Sequence, residues 1–403
     1  MLERLEQSEP ATKWFGLWDK VWAERNLLHG CYAVWRNNGA AGVDKQTVTQ
    51  FEAQEQLEIT RLREELQSGR YRPRPARRVW IPKMGSPEKR PLGIPAVRDR
   101  VVQAALRNLL EPIFEQDFAA CSYGFRPGMG CREAVAAVEQ SLEQGHVWCV
   151  DADLKSYFDT IPHSRLMELI GKRIVDGSVL RLIEQYLKAG VMEQMKEWQP
   201  TTQGTPQGAV ISPLLANIYL NPLDHQMAGK GWKMTRYADD FVVLCQSEEE
   251  AKRVLEYLRA WTAEAGLTLH PVKTRIVNAS TEGFDFLGWT FRGGKKWPRK
   301  KSVLKLRETL RPWTGRSSGL SLNMIVAKMN PTLRGWRGYF GASTRTNLRD
   351  VDGWLRRRLR AMLRRRERRQ AFGLTPADHQ RWPNCWFAKQ GLYSLEYGTC
   401  EYI

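Results

Sequence analysis

The stretch Lys233–Ser247, "KMTRYADDFVVLCQS", decides how the chain is read. Two strand-like runs flank Tyr237, Ala238, Asp239 and Asp240, which predicts a hairpin with two adjacent carboxylates at its tip. Like charges side by side each disfavour ionisation of the other, so the pair calls for a cation. Magnesium takes hard oxygen ligands and keeps positions open for water and phosphate. Two such ions about 4 Å apart can hold both the attacking and the leaving oxygen of a phosphoryl transfer. A plain surface turn is the rival reading, and four residues do not decide between the two. A further carboxylate on another strand would, and "VDADLKSYFDT" (150–160) offers it: Asp151 and Asp153 on one strand face, with Asp159 in the turn beyond.

The 403 residues, 42% of them hydrophobic, suffice for two or three domains with sizeable cores. No apolar run reaches the roughly 18 residues of a membrane span. The opening "MLERLEQSEPATKWFGLWDK" mixes charges throughout and lacks the apolar segment of a secretion signal. Seven cysteines are scattered singly with no C-x-x-C pair, so neither a zinc knuckle nor a disulfide framework is expected, and a cytoplasmic setting is. The net charge of +18 is unevenly spread. From Arg292 to Arg369 there are 24 Lys plus Arg against 4 Asp plus Glu, whereas the rest of the chain holds 38 against 40. Such a block reads as a polyanion-binding surface, or as a solvated basic helix.

Residues 1–70 read as helical, and "ARRVWIP" and "RPLGIP" as the two strands of a basic hairpin around the turn "KMGSPEK". Amphipathic helices follow in "DRVVQAALRNLLEPIFEQDF" and "CREAVAAVEQSLEQG", then the strand that begins "HVWCVDAD". Helices fill 164–190, a Gly/Pro loop leads into the apolar helix of "GTPQGAVISPLLANIYLNPLDHQM", and another helix spans 247–265. "FDFLGWTFR" is a strand, and 302–370 is mainly helical. The order gives an α+β class with a separate helical domain behind it.

In order, the chain carries "RPLGIP", "YGFRPGMGCREAV", "DADLKSYFD", "GTPQGAVISPLLANIYL", "RYADD", "LTLHPVKT" and "FDFLGWTF". These blocks resemble those of a reverse transcriptase, most closely a bacterial group II intron reverse transcriptase, or maturase. "NPTLRGWRGYFGAS" resembles that family's maturase-specific thumb. The resemblance implies a right-hand polymerase: fingers and palm over 1–290, helical thumb over 300–370, and a short appendix at 371–403 of the endonuclease-free kind. It implies RNA-directed DNA synthesis with two magnesium ions, deoxynucleotides, a DNA primer or target, and both template RNA and an intron RNA as partners.

The same resemblance implies roles for single residues. Asp153 and Asp239 match the metal ligands, Asp240 their neighbour in the catalytic trio, and Leu154 the position whose carbonyl contacts a metal. Phe158 matches the gate against a 2′-hydroxyl, although alone it reads as a core aromatic. Lys89 and Arg90 resemble the triphosphate clamp, Gln207 and Gly208 the loop under the nascent base pair, and Lys273 a proton donor near pyrophosphate or else a surface lysine. "FLGW" resembles the primer grip, with an ordinary strand as rival.

In the basic block, "VDGWLRRRLRAMLRRRERR" puts Val351, Trp354, Leu355, Leu359, Met362 and Leu363 on one apolar stripe, leaving arginines elsewhere to meet phosphates. Arg334, Arg337, Arg357, Arg364 and Arg368 are the RNA-binding candidates, with Trp336 and Phe340 expected to pack. Two other settings stay open from sequence: a related enzyme serving antiviral defence or repair, and a splicing factor without polymerase activity.

Overall fold

The computed structural model describes residues 12–82, 89–193, 197–367 and 375–400. The chain forms two compact units, 1–276 and 277–403. The division between these two compact units falls ahead of the "FDFLGWTF" strands.

The first unit has two sheets. Strands β1 (Ala76–Pro82), β2 (Lys89–Ile94), β4 (Val191–Glu193) and β5 (Glu197–Gln199) make one, in the order β2-β1-β4-β5. β1 and β2 form the basic hairpin expected from sequence, in antiparallel register from Arg77↔Ile94 to Pro82↔Lys89. Its connecting turn lies outside the described residues. Strands β3 (Trp148–Asp153), β6 (Lys233–Tyr237), β7 (Asp240–Cys245) and β8 (Arg275–Asn278) make the other, in the order β6-β7-β3-β8, and the chain passes into the second unit within β8.

The middle of this second sheet is fully buried. Cys149 and Val150 of β3 and Phe241 to Cys245 of β7 are at most 1% exposed, because helices cover the sheet. Among these, Glu248–Glu264 touches both β3 and β7, and Ser212–Gly229 touches β6. The helix Val97–Glu115 packs along Glu24–Asn37 and supplies Val101, Val102, Leu106, Leu110 and Ile113 to the same core.

One buried acid ties this helix to the start of β1. Tyr71 donates to Asp99 Oδ1 at 2.5 Å, and the Arg74 amide donates to Oδ2 at 3.0 Å. Tyr186, from the helix Gly177–Lys188, lies 2.7 Å from the Tyr71 hydroxyl. Burial pushes the Asp99 carboxyl up to about 6, against the pull of Tyr71 and Arg74. An acid held above its unfolded value contributes stability that is complete below about pH 4 and is lost as pH rises through about 6. The loss is on the order of 2–3 kcal/mol. Asp99→Asn should lack this component, so the stability of the variant relative to the native protein should improve between pH 4.5 and 6.5. Denaturant midpoints at the two pH values measure it, and a parallel pH dependence would refute it.

The second unit holds β9 (Phe284–Phe286), β10 (Trp289–Arg292) and β11 (Lys295–Pro298), in the order β11-β10-β9. Leu287 and Gly288 turn the chain between β9 and β10, both at positive φ. The helices Lys300–Leu310, Leu322–Phe340 and Arg345–Arg366 follow. Leu306, Leu310, Ile325, Met329, Leu333, Val351, Leu355, Leu359 and Met362 form their shared core. Trp382, Phe387, Leu392 and Leu395 are buried in that core too, so 375–400 is an integral part of it rather than an appendix. Among the described residues no helix is long and apolar enough to cross a membrane.

Candidate active site

The Asp-Asp turn forms as the sequence predicted. Tyr237 pairs with Asp240 across β6 and β7, leaving Ala238 and Asp239 as a two-residue loop. Ala238 has φ +59°, and a positive φ at the first loop position alone is the pattern of a II′ hairpin turn. Glycine is the usual residue there, so the alanine is held by its surroundings. One restraint is Gly124: a Cβ there would lie 2.4 Å from the Ala238 nitrogen, so glycine alone allows the approach. The other restraint is Arg236, completely buried at the next-to-last position of β6. It donates to both carboxylate oxygens of the fully buried Asp224, at 2.8 and 2.5 Å, and to Asn217 Oδ1 at 3.0 Å. It also reaches Ser122 Oγ at 2.6 Å and the Ala238 carbonyl at 2.8 Å. Burial pushes the Asp224 carboxyl up and the paired guanidinium pulls it back.

Asp153 ends β3 directly opposite Asp240. Its carboxylate accepts from the Lys273 ammonium at 2.7 Å, and its carbonyl accepts from the His270 amide at 2.7 Å. Asp151, two residues earlier, faces Arg275 Nε at 3.4 Å. Asp239 is held above the ordinary carboxylate range, first by burial and then by the charge of Asp153, while Arg90 and Arg236 pull it down. Asp239 therefore senses the charge of Asp153, and the Arg90 guanidinium from β2 reaches Asp239 electrostatically.

Among the described residues no three His, Cys, Asp or Glu side chains converge into a group that could hold a metal ion. The expected trio thus does not close through its side chains, and Asp240 is exposed beside the pair. Leu154 offers a third oxygen. It bridges to Leu269 through the flanking Asp153 carbonyl and Lys155 amide. Amides and carbonyls alternate between strand edges, so the Leu154 carbonyl faces the β7 edge. Two carboxylates and a backbone carbonyl are the hard oxygen ligands that a divalent cation takes, and Lys273 supplies positive charge to Asp153.

Backbone hydrogen bonds link most of the remaining residues that the sequence singles out. Phe158 lies in the short helix Tyr157–Thr160, entered through Ser156 at φ +51°. It is half-buried, packs on the core and meets the Tyr157 ring edge-on at 5.6 Å. Its carbonyl accepts from the Thr205 amide at 2.7 Å, which fixes the loop carrying Gln207 and Gly208. The Gln207 carbonyl in turn accepts from Gly93 of β2 at 2.7 Å. Gly208, at φ +107°, could bear no Cβ without meeting the Gly93 carbonyl at 2.7 Å. The strand so docked carries Lys89 and Arg90, both exposed. Backbone hydrogen bonds thus link Phe158 and the loop of Gln207 and Gly208 to the strand of Lys89 and Arg90, and Arg90 lies within electrostatic reach of Asp239.

The second unit corrects the reading of its arginines. Arg356 and Arg360 are 5% and 3% exposed: Arg356 pairs with Asp352 at 3.7 Å, and Arg360 donates to the Trp382 carbonyl and Asn384. Arg364, one turn further on, donates to Asp378 Oδ1 at 2.6 Å. Of these three positions, spaced by four, Arg360 and Arg364 clasp 375–400 and Arg356 pairs within its own helix, so none of them is an exposed arginine. Arg334 and Arg357 are exposed, with Arg334 stacked over Tyr393. Arg337 is half-buried, and Arg368 lies outside the described residues. Trp336 and Phe340 pack together at 4.7 Å, as expected.

Sequence reasoning missed Arg236 and Gly124. The signal for Arg236 was a charged residue between Thr235 and Tyr237 of a strand-like run, just before the turn.

Comparison with known proteins agrees with this geometry. Residues 81–291 match the family model "Reverse transcriptase (RNA-dependent DNA polymerase)", and residues 303–381 match "Group II intron, maturase-specific domain". Protein YkfC of Escherichia coli is 38% identical over 292 residues, covering 61% of this chain and 74% of the relative. The group II intron-encoded protein LtrA of Lactococcus lactis is 35% identical over 244 residues, covering 56% of this chain and 40% of the relative. An uncharacterized 91 kDa protein in a cob intron of Schizosaccharomyces pombe is 29% identical over 367 residues, covering 70% of this chain and 45% of that protein. The chain therefore spans most of one relative and less than half of the other two. On both domain matches, the chain belongs to the reverse transcriptases, RNA-directed DNA polymerases, and carries the maturase domain of group II intron-encoded proteins.

Proposed function

We propose that this site extends a DNA primer with deoxynucleotides on an RNA template, and that the natural template is a group II intron RNA whose splicing the same protein assists. The observation that carries the reading is Asp153 at the end of β3, directly opposite Asp240 and so beside the two-residue turn that carries Asp239. Reverse transcriptases use divalent metal ions. Here Asp153, Asp239 and the Leu154 carbonyl would hold two magnesium ions, with Asp240 alongside. When bound, these supply an activated 3′-hydroxyl and neutralise charge on the leaving pyrophosphate.

The chain's own groups do the rest. Lys89 and Arg90 take the triphosphate, Arg through its planar fork. Gln207 and Gly208 support the new base pair. Lys273, a lysine already at a carboxylate, donates a proton to pyrophosphate as it leaves. Phe158 closes the space a 2′-hydroxyl would occupy.

The native protein should extend a DNA primer on an RNA template with deoxynucleotides and stop when EDTA is added. Phe158→Ala should raise the ratio of ribo- to deoxynucleotide incorporation about tenfold or more. The ratio is insensitive to a general loss of stability, so an unchanged value would reduce Phe158 to a core residue.

For RNA binding, the exposed Arg357 and Arg365 are the informative pair. Gln at each should lower the salt slope of RNA affinity by about 0.7–0.9 per lost phosphate contact, with folding kept because Gln is a good helix former. Binding titrations at several salt concentrations measure this. An unchanged slope would make this helix face a solvated basic surface.

A further inference from the structure

Phe125 stands in a conformation its side chain disfavours. Its φ is +59°, a region where bulky residues are rare because Cβ crowds the backbone, and where glycine or asparagine rests at little cost. The flanking residues leave the chain no choice. On one side, Cys121 and Tyr123 exchange backbone hydrogen bonds of 2.8 Å with Arg236, so this segment lies along β6, and Gly124 is wedged against Ala238. On the other side, Arg126 is anchored inward. It donates to Glu115 at 2.8 Å and to the carbonyls of Ala119 and Ser122 at 2.8 and 2.7 Å. Between two fixed neighbours, Phe125 must turn left-handed.

The ring gains little packing in return. Phe125 is 52% exposed, and its described ring contact is Tyr237, 6.3 Å between centroids. Tyr237 is the residue that opens the Asp-Asp turn. A strained, half-exposed aromatic beside a catalytic turn, at a position where glycine would be more stable, is better explained by what it touches in solution than by the fold.

We infer that Phe125 and Tyr237 form an aromatic shelf that holds the primer–template duplex at its primer 3′ end, beside the carboxylates. The inference rests on the polymerase reading above, because that reading brings the 3′-hydroxyl to this turn. The ligand chemistry is the apolar face of bases and sugars. Contact of this kind is indifferent to sequence, since every base has a π-face.

The test uses Phe125→Gly, Phe125→Ala and Phe125→Trp in the full chain. Phe125→Gly should raise the thermal midpoint, because glycine relieves the left-handed strain. The same variant should raise KM for the primer–template about tenfold, with KM for the deoxynucleotide and the rate at saturating primer–template nearly unchanged. Phe125→Ala should lose affinity equally without the gain in stability, and Phe125→Trp should retain affinity. A wild-type KM in Phe125→Gly would overturn the inference, and so would a lowered midpoint, which would make the ring a packing residue. If the native protein extends no primer at all, it is the polymerase reading that fails.

Discussion

Arg236→Leu should destabilise the first unit by about 3–5 kcal/mol, because it strands the Asp224 carboxylate in a fully buried site. The same change removes the donor to the Ala238 carbonyl, so the Asp-Asp turn loses the tie that holds its left-handed residue. The two effects separate in a double variant. Arg236→Leu combined with Asp224→Leu removes both charges together, and an apolar pair in place of a buried ion pair often restores stability. Stability should recover while extension does not, since the turn is still untied, and a misplacement near 1 Å can cost about 100-fold in rate. Denaturant unfolding and single-nucleotide addition measured on both variants decide it. A double variant with native rate would show that Arg236 serves the core alone.

The hairpin, the opposing strand and most of the apolar helices were legible because each announces itself locally. A short strand-like run precedes residues 238 and 239 and the continuous apolar run Phe241–Cys245 follows them, and the helix Arg345–Arg366 carries its stripe at helical spacing. Other features depend on distant residues and leave no local mark. The parallel pairing of β1 with β4, at Ala76↔Val191, joins strands over a hundred residues apart, and β4 has only three residues. The arginines of the last long helix could not be sorted by spacing alone, because acidic and carbonyl partners for Arg356, Arg360 and Arg364 come partly from the tail at 375–400. The tail itself looked like an appendix because its Trp382, Phe387, Leu392 and Leu395 are too sparse to form a core unaided. In the site, Asp153, Asp239 and the pocket loop could be named through the family blocks. Arg236 and Gly124 could not, since one works through a buried network and the other through the absence of a Cβ.

The central claim is that Asp153 and Asp239 are the carboxylates of a metal-dependent RNA-directed DNA polymerase. Asp239→Asn keeps the size of the side chain and removes the charge that a divalent ion requires. It also relieves repulsion with Asp153, so the fold should be at least as stable as the native one. RNA affinity should be nearly unchanged, because phosphate contacts are spread over basic residues elsewhere. The decisive measurement is primer extension on an RNA template by the native protein and by Asp239→Asn, at matched RNA occupancy and saturating magnesium. Extension by the native protein, lowered about a thousandfold or more in the variant, is the expected result, since the ligand acts on every step of the transfer. A variant that binds RNA and extends the primer at close to the native rate would contradict the account.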